Sequence, residues 1–456
     1  MNLSRLLQRR ADEGRPVRVG LIGAGKFGSM FLAQARQTPG LHVMAVADLS
    51  PETARRALLT TGWREEQIGA STFDRALETG ATHITDDGAA LIAAGGMEVV
   101  IEATGHPPAG IRHARLCCRE GRHVVMVNVE ADVLAGPLLA REAERAGLVY
   151  SLAYGDQPAL ICEMVDWTLA CGLPVLAAGK GTKHLPEYHV STPDTVWDFY
   201  GLTAEEAAAG GMNPQMFNSF LDGTKSAIEM AAVANATGLT PAPGGLTFPP
   251  CGVDDLPRVL RPREAGGQLH HGGQVEVISS LERDGRPVHR DLRWGVYVVF
   301  EAPSDYAARC FGEYGLLTGP EGRVGALYRP YHLIGLELGI SVASVALRGE
   351  PTGAATGFRA DVVATAKRDL AAGEELDGEG GHLVWGRLTP AAESLATGGL
   401  PIGLAHGVEL TRPVKMGEAL RWEDVVADED GETVRVRREM ETAFATEPDR
   451  TTQRPE

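Results

Sequence analysis

The stretch VRVGLIGAGKFG, residues 17–28, decides how the rest of the chain is read. Its apolar positions Val17, Val19, Leu21 and Ile22 predict a buried strand. That strand runs into Gly23-x-Gly25-x-x-Gly28 and then into a helix-forming run, Ser29 to Arg36. A second apolar run, Leu41 to Ala47, ends at Asp48, twenty residues past Gly28. Each part has a physical task. Gly23 permits a tight turn, Gly25 lets backbone approach a diphosphate at the positive helix end, and Gly28 lets helix pack closely on strand. An acid at the end of the second strand accepts ribose hydroxyls. The reading is a dinucleotide site lined by Gly23, Ala24, Gly25, Lys26, Phe27 and Gly28, with Asp48 on the ribose.

Working outward, strand and helix signals keep alternating to about residue 150. Val99–Ala103 reads as a strand ending in Thr104-Gly105, followed by a helix from Ala109 to Glu120. A strand at His123–Val129, a helix at Gly136–Gly147 and a strand at Leu148–Ala153 continue the pattern. The fold class is therefore α/β, a doubly wound parallel sheet whose ligands gather at the carboxyl ends of the strands. Thr104, Gly105 and Asn128 fall there, in the nicotinamide region. Glu130 reads either as a substrate-hydroxyl acceptor or as an ordinary acid of a helix first turn.

Beyond residue 154 the character changes to an α+β region. A helix (Pro158–Ala170) and a strand (Leu173–Ala178) lead into Gly179-Lys180-Gly181-Thr182-Lys183-His184. There Lys180 and Lys183 form either an anion subsite in a glycine-rich loop or a basic surface. Pro214–Thr237 reads as one helix that puts Asn218, Asp222, Lys225 and Glu229 in a stripe about 60° wide. Two readings stay open. One is a solvated face joined by Asp222–Lys225 and Lys225–Glu229 pairs. The other is a cleft-facing helix with Lys225 moving a proton, Asp222 and Glu229 holding it, and Asn218 on the substrate. Asp284-Gly285 predicts a hairpin between 274–282 and 287–301. Tyr331–Leu347 predicts a helix stopped by Gly349 and Pro351.

Composition sets the outer bounds. The 456 residues suffice for two or three domains, read as 1–155, 156–355, a small β module at 356–427 and a flexible tail at 428–456. Within the module, "basic, apolar, Gly-Glu" occurs twice, at AKRDLAAGEE and LTRPVKMGEA, which predicts a pseudo-repeat. A net charge of −17 argues against a nucleic-acid or anionic-membrane surface but leaves a local anion pocket open. The expected partner is a small-molecule substrate. The six cysteines lack C-x-x-C spacing and read as reduced thiols. No metal site is expected, since His270, His271 and His332 lack acidic partners at ligand spacing. Without a signal-peptide core or a membrane-length apolar run, the expectation is a cytoplasmic protein, a homodimer or larger homo-oligomer.

Three stretches together resemble the homoserine dehydrogenase-like oxidoreductases that carry a C-terminal SAF domain. They are GAGKFG with VADLS, the segment SFLDGTKSAIEMAAVANATGL (219–239), and the tail AKRDLAAGEEL with LPIGLAHGVELTRPVKMGE. The resemblance runs from about 17 to 425 and implies a small β-clip module at the C-terminus. It also implies that Asp222 and Lys225 bind substrate and relay the proton, although they stand three apart here rather than four. One branch resembles the deoxyxylulose-phosphate reductoisomerase-like enzymes, which would bring a sugar phosphate, NADPH and a divalent metal. Asp48 opposes a 2′-phosphate unless Arg55 or Arg56 swings in, so NAD(H) is the expected cofactor and NADP(H) the alternative.

Overall fold

The computed structural model describes residues 2–445. The chain divides into two compact units, Met1–Cys162 with His332–Thr356, and Glu163–Tyr331 with Gly357–Glu456.

In the first unit six parallel strands form one sheet: β1 (Val17–Ile22), β2 (Leu41–Ala47), β3 (His83–Thr85), β4 (Val99–Glu102), β5 (His123–Met126) and β6 (Tyr150–Leu152). Their order, β3-β2-β1-β4-β5-β6, reverses direction beside β1, the place where such sheets bind dinucleotides. The strands are nearly continuous apolar runs because helices cover both faces. One covering helix comes from far downstream. Gly339–Arg348 contributes Val342, Ala343 and Val345 to the core that holds Val19, Ile101 and Val125. Sequence reading starts this helix at Tyr331 and assigns it to the central region. The structure starts it at Gly339, after Gly335 takes a left-handed φ of +73°. It returns to the first unit through hydrogen bonds from Leu152 N–H to the Gly353 carbonyl (2.7 Å) and from Tyr154 N–H to Ser341 Oγ (2.8 Å).

The second unit is built on β7 (Val175–Thr182), β8 (Gln274–Ser279), β9 (Val296–Glu301) and β10 (Val324–Arg329), in the order β10-β9-β7-β8. The hairpin expected around Asp284-Gly285 is absent as a strand pair. β7 lies between β8 and β9, parallel to one and antiparallel to the other, so only the tip Leu281–Pro287 pairs locally. The predicted turn forms, but the long-range strand wins the interior position. Among the described residues no helix is long and apolar enough to cross a membrane.

The C-terminal β elements belong to this same unit. β11 (Ala360–Ala366) pairs with β13 (Val384–Pro390), and β12 (Glu375–Asp377) with β14 (His406–Glu409). The repeat seen in the sequence becomes a local pseudo-dyad. Ala366 N–H donates to the Glu418 carbonyl (3.0 Å), and its counterpart Leu410 N–H donates to that of Glu374 (2.9 Å). Gly373 N–H to Leu410 and Gly417 N–H to Ala366 form a second such pair, while Leu370 and Val414 exchange bonds with each other. The expected flexible tail is corrected in part. Glu432–Ala445 is a helix whose buried Arg437 pairs with Asp361 and Glu441, while residues 446–456 lie outside the described residues.

Candidate functional site

In the first unit the three glycines differ in what a side chain would meet. Gly23 has φ +99°, and a Cβ there would stand 2.5 Å from the Ala103 carbonyl oxygen. At Gly28 a Cβ would lie 2.4 Å from the Gly23 oxygen. At Gly25 nothing lies within 4 Å. Two glycines therefore serve packing, and the middle one opens backbone to the outside. Helix Lys26–Ala35 starts at Gly25 with no side-chain cap, so its first N–H groups are not satisfied by a capping side chain. This loop and helix start fit a diphosphate.

Asp48 ends β2 beside this loop. Its Oδ2 accepts from Ala24 N–H (2.9 Å) and its Oδ1 from Ser50 N–H (3.0 Å). Arg55 is engaged with Glu65, and Arg56 donates to Thr53 Oγ1 (3.4 Å). At the end of β4, Thr104 Oγ1 donates to Glu102 Oε1 (2.5 Å), and Gly105 is left-handed at φ +65°. Glu102 was not singled out by the sequence reading. It is fully buried, with His113 Nδ1 at 3.3 Å from Oε1, while Oε2 has no hydrogen-bond partner. Asn128 caps helix Val129–Arg145 by accepting from Ala131 N–H (3.1 Å), and Glu130 is half-buried in its first turn.

In the second unit the predicted single helix is two. Pro214–Leu221 ends at Asp222, Gly223 turns left-handed at φ +91°, and Thr224–Thr237 begins anew. Helical periodicity across Gly223 therefore fails, because the left-handed residue resets the direction of the axis. Asp222 is fully buried. Its Oδ1 accepts from Thr224 N–H (2.9 Å), its carbonyl bonds His189 Nδ1 (2.7 Å), and Oδ2 forms an ion pair with Lys367 Nζ (2.8 Å). Burial pushes its carboxyl pKa up, and the Lys367 ammonium is the largest opposing influence. Glu229, also buried, pairs with Lys180. Lys225 is half-buried between these two carboxylates in sequence. The acids that the periodicity offered to Lys225 thus each hold a lysine from a distant segment, Lys180 in β7 and Lys367 beyond Ala366.

The glycine-rich basic segment is strand, not loop. A Cβ at Gly179 would stand 1.8 Å from the Glu276 oxygen, and one at Gly181 2.0 Å from that of Leu292, so these glycines admit neighbouring backbone rather than an anion. Lys183 donates to the Phe199 carbonyl and faces the Tyr200 ring at 5.7 Å. Asn218 donates to the carbonyls of Ser191 (3.0 Å) and Gly380 (2.9 Å) and accepts from Ser191 Oγ (2.6 Å), so its amide is engaged within the chain.

Sequence reasoning also missed the ring cluster around the helix break. His184 stacks on Phe248 (3.8 Å) and His189 on Trp385 (4.0 Å). Burial first, then the neighbouring His189, hold His184 well below the ordinary histidine pKa. Phe248 takes a strained φ of +48°, held by Glu276, whose carboxylate accepts N–H bonds from Thr247 (3.0 Å) and Phe248 (3.4 Å). A Cβ at Gly223 would be 3.3 Å from both His189 and Phe248. Among the described residues no group of three or more His, Cys, Asp or Glu side chains is arranged to hold a metal.

Residues 155–338 match the family model for the catalytic domain of the oxidoreductase DRL. The similarity lies in the centre of the chain. No curated protein matches the chain. Partial likenesses exist to solved structures. A homoserine dehydrogenase from Thiobacillus denitrificans shares 18% identity over 49% of each chain, with a TM-score of 0.35. A myo-inositol dehydrogenase from Lactobacillus casei, in complex with NAD(H) and myo-inositol, shares 15% over 40% of this chain and 50% of that one, with a TM-score of 0.27. A biliverdin reductase from Synechocystis, with biliverdin and NADP+, shares 17% over 37% of this chain and 48% of that one, with a TM-score of 0.26. The chain spans about half the length of each of these structures. Likenesses this partial do not identify a reaction.

Proposed function

We propose that this chain is an NAD(P)-dependent oxidoreductase acting on a small, polar, anionic hydroxy or carbonyl compound, with homoserine dehydrogenase-like chemistry. The observation that carries the reading is the glycine loop. Two glycines are required by packing, and the third leaves backbone bare where a diphosphate would lie. Asp48 supports NAD(H) over NADP(H), because a carboxylate at this strand end repels a 2′-phosphate and Arg55 is engaged elsewhere. A bound nicotinamide supplies or accepts the hydride.

The chain's own residues provide the rest. Lys225 moves the proton at the substrate oxygen, a task that desolvation suits by lowering an ammonium pKa toward neutrality. Asp222 and Glu229 frame it, each neutralised by its own lysine. Thr104 and Asn128 shape the nicotinamide end, and Glu130 accepts a substrate hydroxyl. A sugar-phosphate reductoisomerase would call on Lys180 and Lys183, whose ammonium groups bond Glu229 and the Phe199 carbonyl. A divalent metal would enter only with that reading. Segment 356–427 is assigned as the SAF-like module, and the assembly as a homo-oligomer.

The test is a screen at the reduced-nicotinamide absorbance band, with both coenzymes, across hydroxy acids, amino acids and sugar phosphates. Saturable NAD(H) binding and turnover in one class are expected. Absence of saturable affinity for either coenzyme overturns the reading.

A further inference from the structure

We propose that Lys367, supplied by the C-terminal β elements, is the positioning residue that keeps Asp222 ionised and fixed at the helix break beside Lys225. The inference rests on the reading of the Asp222–Lys225 region given above. Lys367 follows β11 directly, and its side chain is 2% exposed. An ammonium has three protons to place. Its Nζ meets the Ser191 carbonyl at 2.8 Å, the Gly381 carbonyl at 2.6 Å and Asp222 Oδ2 at 2.8 Å. Three segments distant in sequence therefore converge on one cation.

The pseudo-dyad supplies an independent argument. The residue that corresponds to Lys367 is Thr411, which follows Leu410 as Lys367 follows Ala366. Thr411 is exposed, and its hydroxyl donates to the Glu423 carbonyl (3.0 Å) rather than to a buried acid. The β framework therefore forms around either residue type, and a buried lysine there is not a demand of the fold. What distinguishes the Lys367 copy is the carboxylate it faces. A fully buried aspartate without a cation takes up a proton, since burial disfavours its charged form. Titratable groups packed at this break are His189, which bonds the Asp222 carbonyl and feels Arg387 of β13, and His184, which lies against the Leu221 backbone and His189; Lys225 follows three residues on. Burial holds His189 below the ordinary histidine pKa and so disfavours its charged form. Lys367 makes the direct ion pair.

The test uses full-length Lys367→Met, Lys367→Arg and Asp222→Asn proteins. Carbon-13 NMR of aspartate-labelled protein follows the Asp222 carboxyl, assigned by its loss in Asp222→Asn, with or without turnover. In Lys367→Met its midpoint should rise by about 1–3 pH units, the effect of losing an adjacent opposite charge. The acid limb of kcat/KM should move up with it. Lys367→Arg keeps the charge but cannot reproduce the three-acceptor geometry. Its carboxyl should stay ionised while kcat falls about tenfold with KM little changed, and it carries the test if the methionine variant does not fold. An unmoved carboxyl midpoint in Lys367→Met, or a wild-type kcat in Lys367→Arg, overturns the proposal. If no substrate turns over, only the proposed reaction fails, because the carboxyl titration is read without it.

Discussion

Buried acids in this protein are held in two ways. In the second unit Asp222, Glu229 and Asp361 each hold a lysine or arginine, whereas Glu276 is held by N–H and hydroxyl donors. In the first, Glu102 and Asp132 are as deeply buried, yet among the described residues neither has a lysine or arginine ion pair. Asp132 has only the Tyr150 hydroxyl, at 2.9 Å, and burial pushes its pKa up to about 7. The difference teaches where charge matters. A buried carboxylate with a cation is maintained as an anion, whereas one beside a phenol is free to be neutral.

The sharpest break in that comparison is Lys225→Ala. Turnover should fall by about two to four orders of magnitude, with coenzyme affinity in fluorescence titration unchanged. Next comes Lys180→Met, which strands the Glu229 charge. Denaturant unfolding should show a loss of about 3–5 kcal/mol, and Lys180→Met/Glu229→Leu should recover most of it. In the first unit the glycines offer the matching pair. Gly25→Val should fold normally yet bind coenzyme about tenfold or more weakly, while Gly28→Val should also lower Tm because its side chain meets the Gly23 carbonyl.

The smallest effect sharpens the contrast through pH. Asp132 has a folded pKa of about 7 against an ordinary 3.8, so between these values the folded state binds the extra proton. Its contribution to stability therefore falls as pH rises through that window and levels off above it. Asp132→Asn should gain Tm relative to wild type, by a few degrees more at pH 8 than at pH 5. An equal difference at both pH values would mean that Asp132 is ionised throughout.

What could be read from the sequence follows the reach of each interaction. The glycine loop, β1, β2 and Asp48 lie within some thirty residues, and local spacing is enough to read them. The repeat at 366–374 and 410–418 was equally legible, since both copies bring the same turn chemistry. The second unit was harder. Spacing suggested Asp222–Lys225 and Lys225–Glu229, but the partners of the two acids are Lys367 and Lys180, brought by segments remote from the helix. Periodicity also ran across Gly223, where a left-handed residue breaks the axis. The departure of Lys367 from its counterpart Thr411 was the available signal, and a comparison of the two repeats would have exposed it.

The excursion of 332–356 back into the first unit governs how the molecule can be dismantled. The chain leaves the nucleotide-type sheet, completes another sheet, and returns to lay helix Gly339–Arg348 across the strands it left behind. A stop codon or protease cut after Cys162 would therefore strip that sheet of part of its roof, however clean the apparent boundary. Excising either half intact calls for three scissions and a splice, and a biosynthetic intermediate emerging from the ribosome waits through the whole central segment before its opening sheet can close.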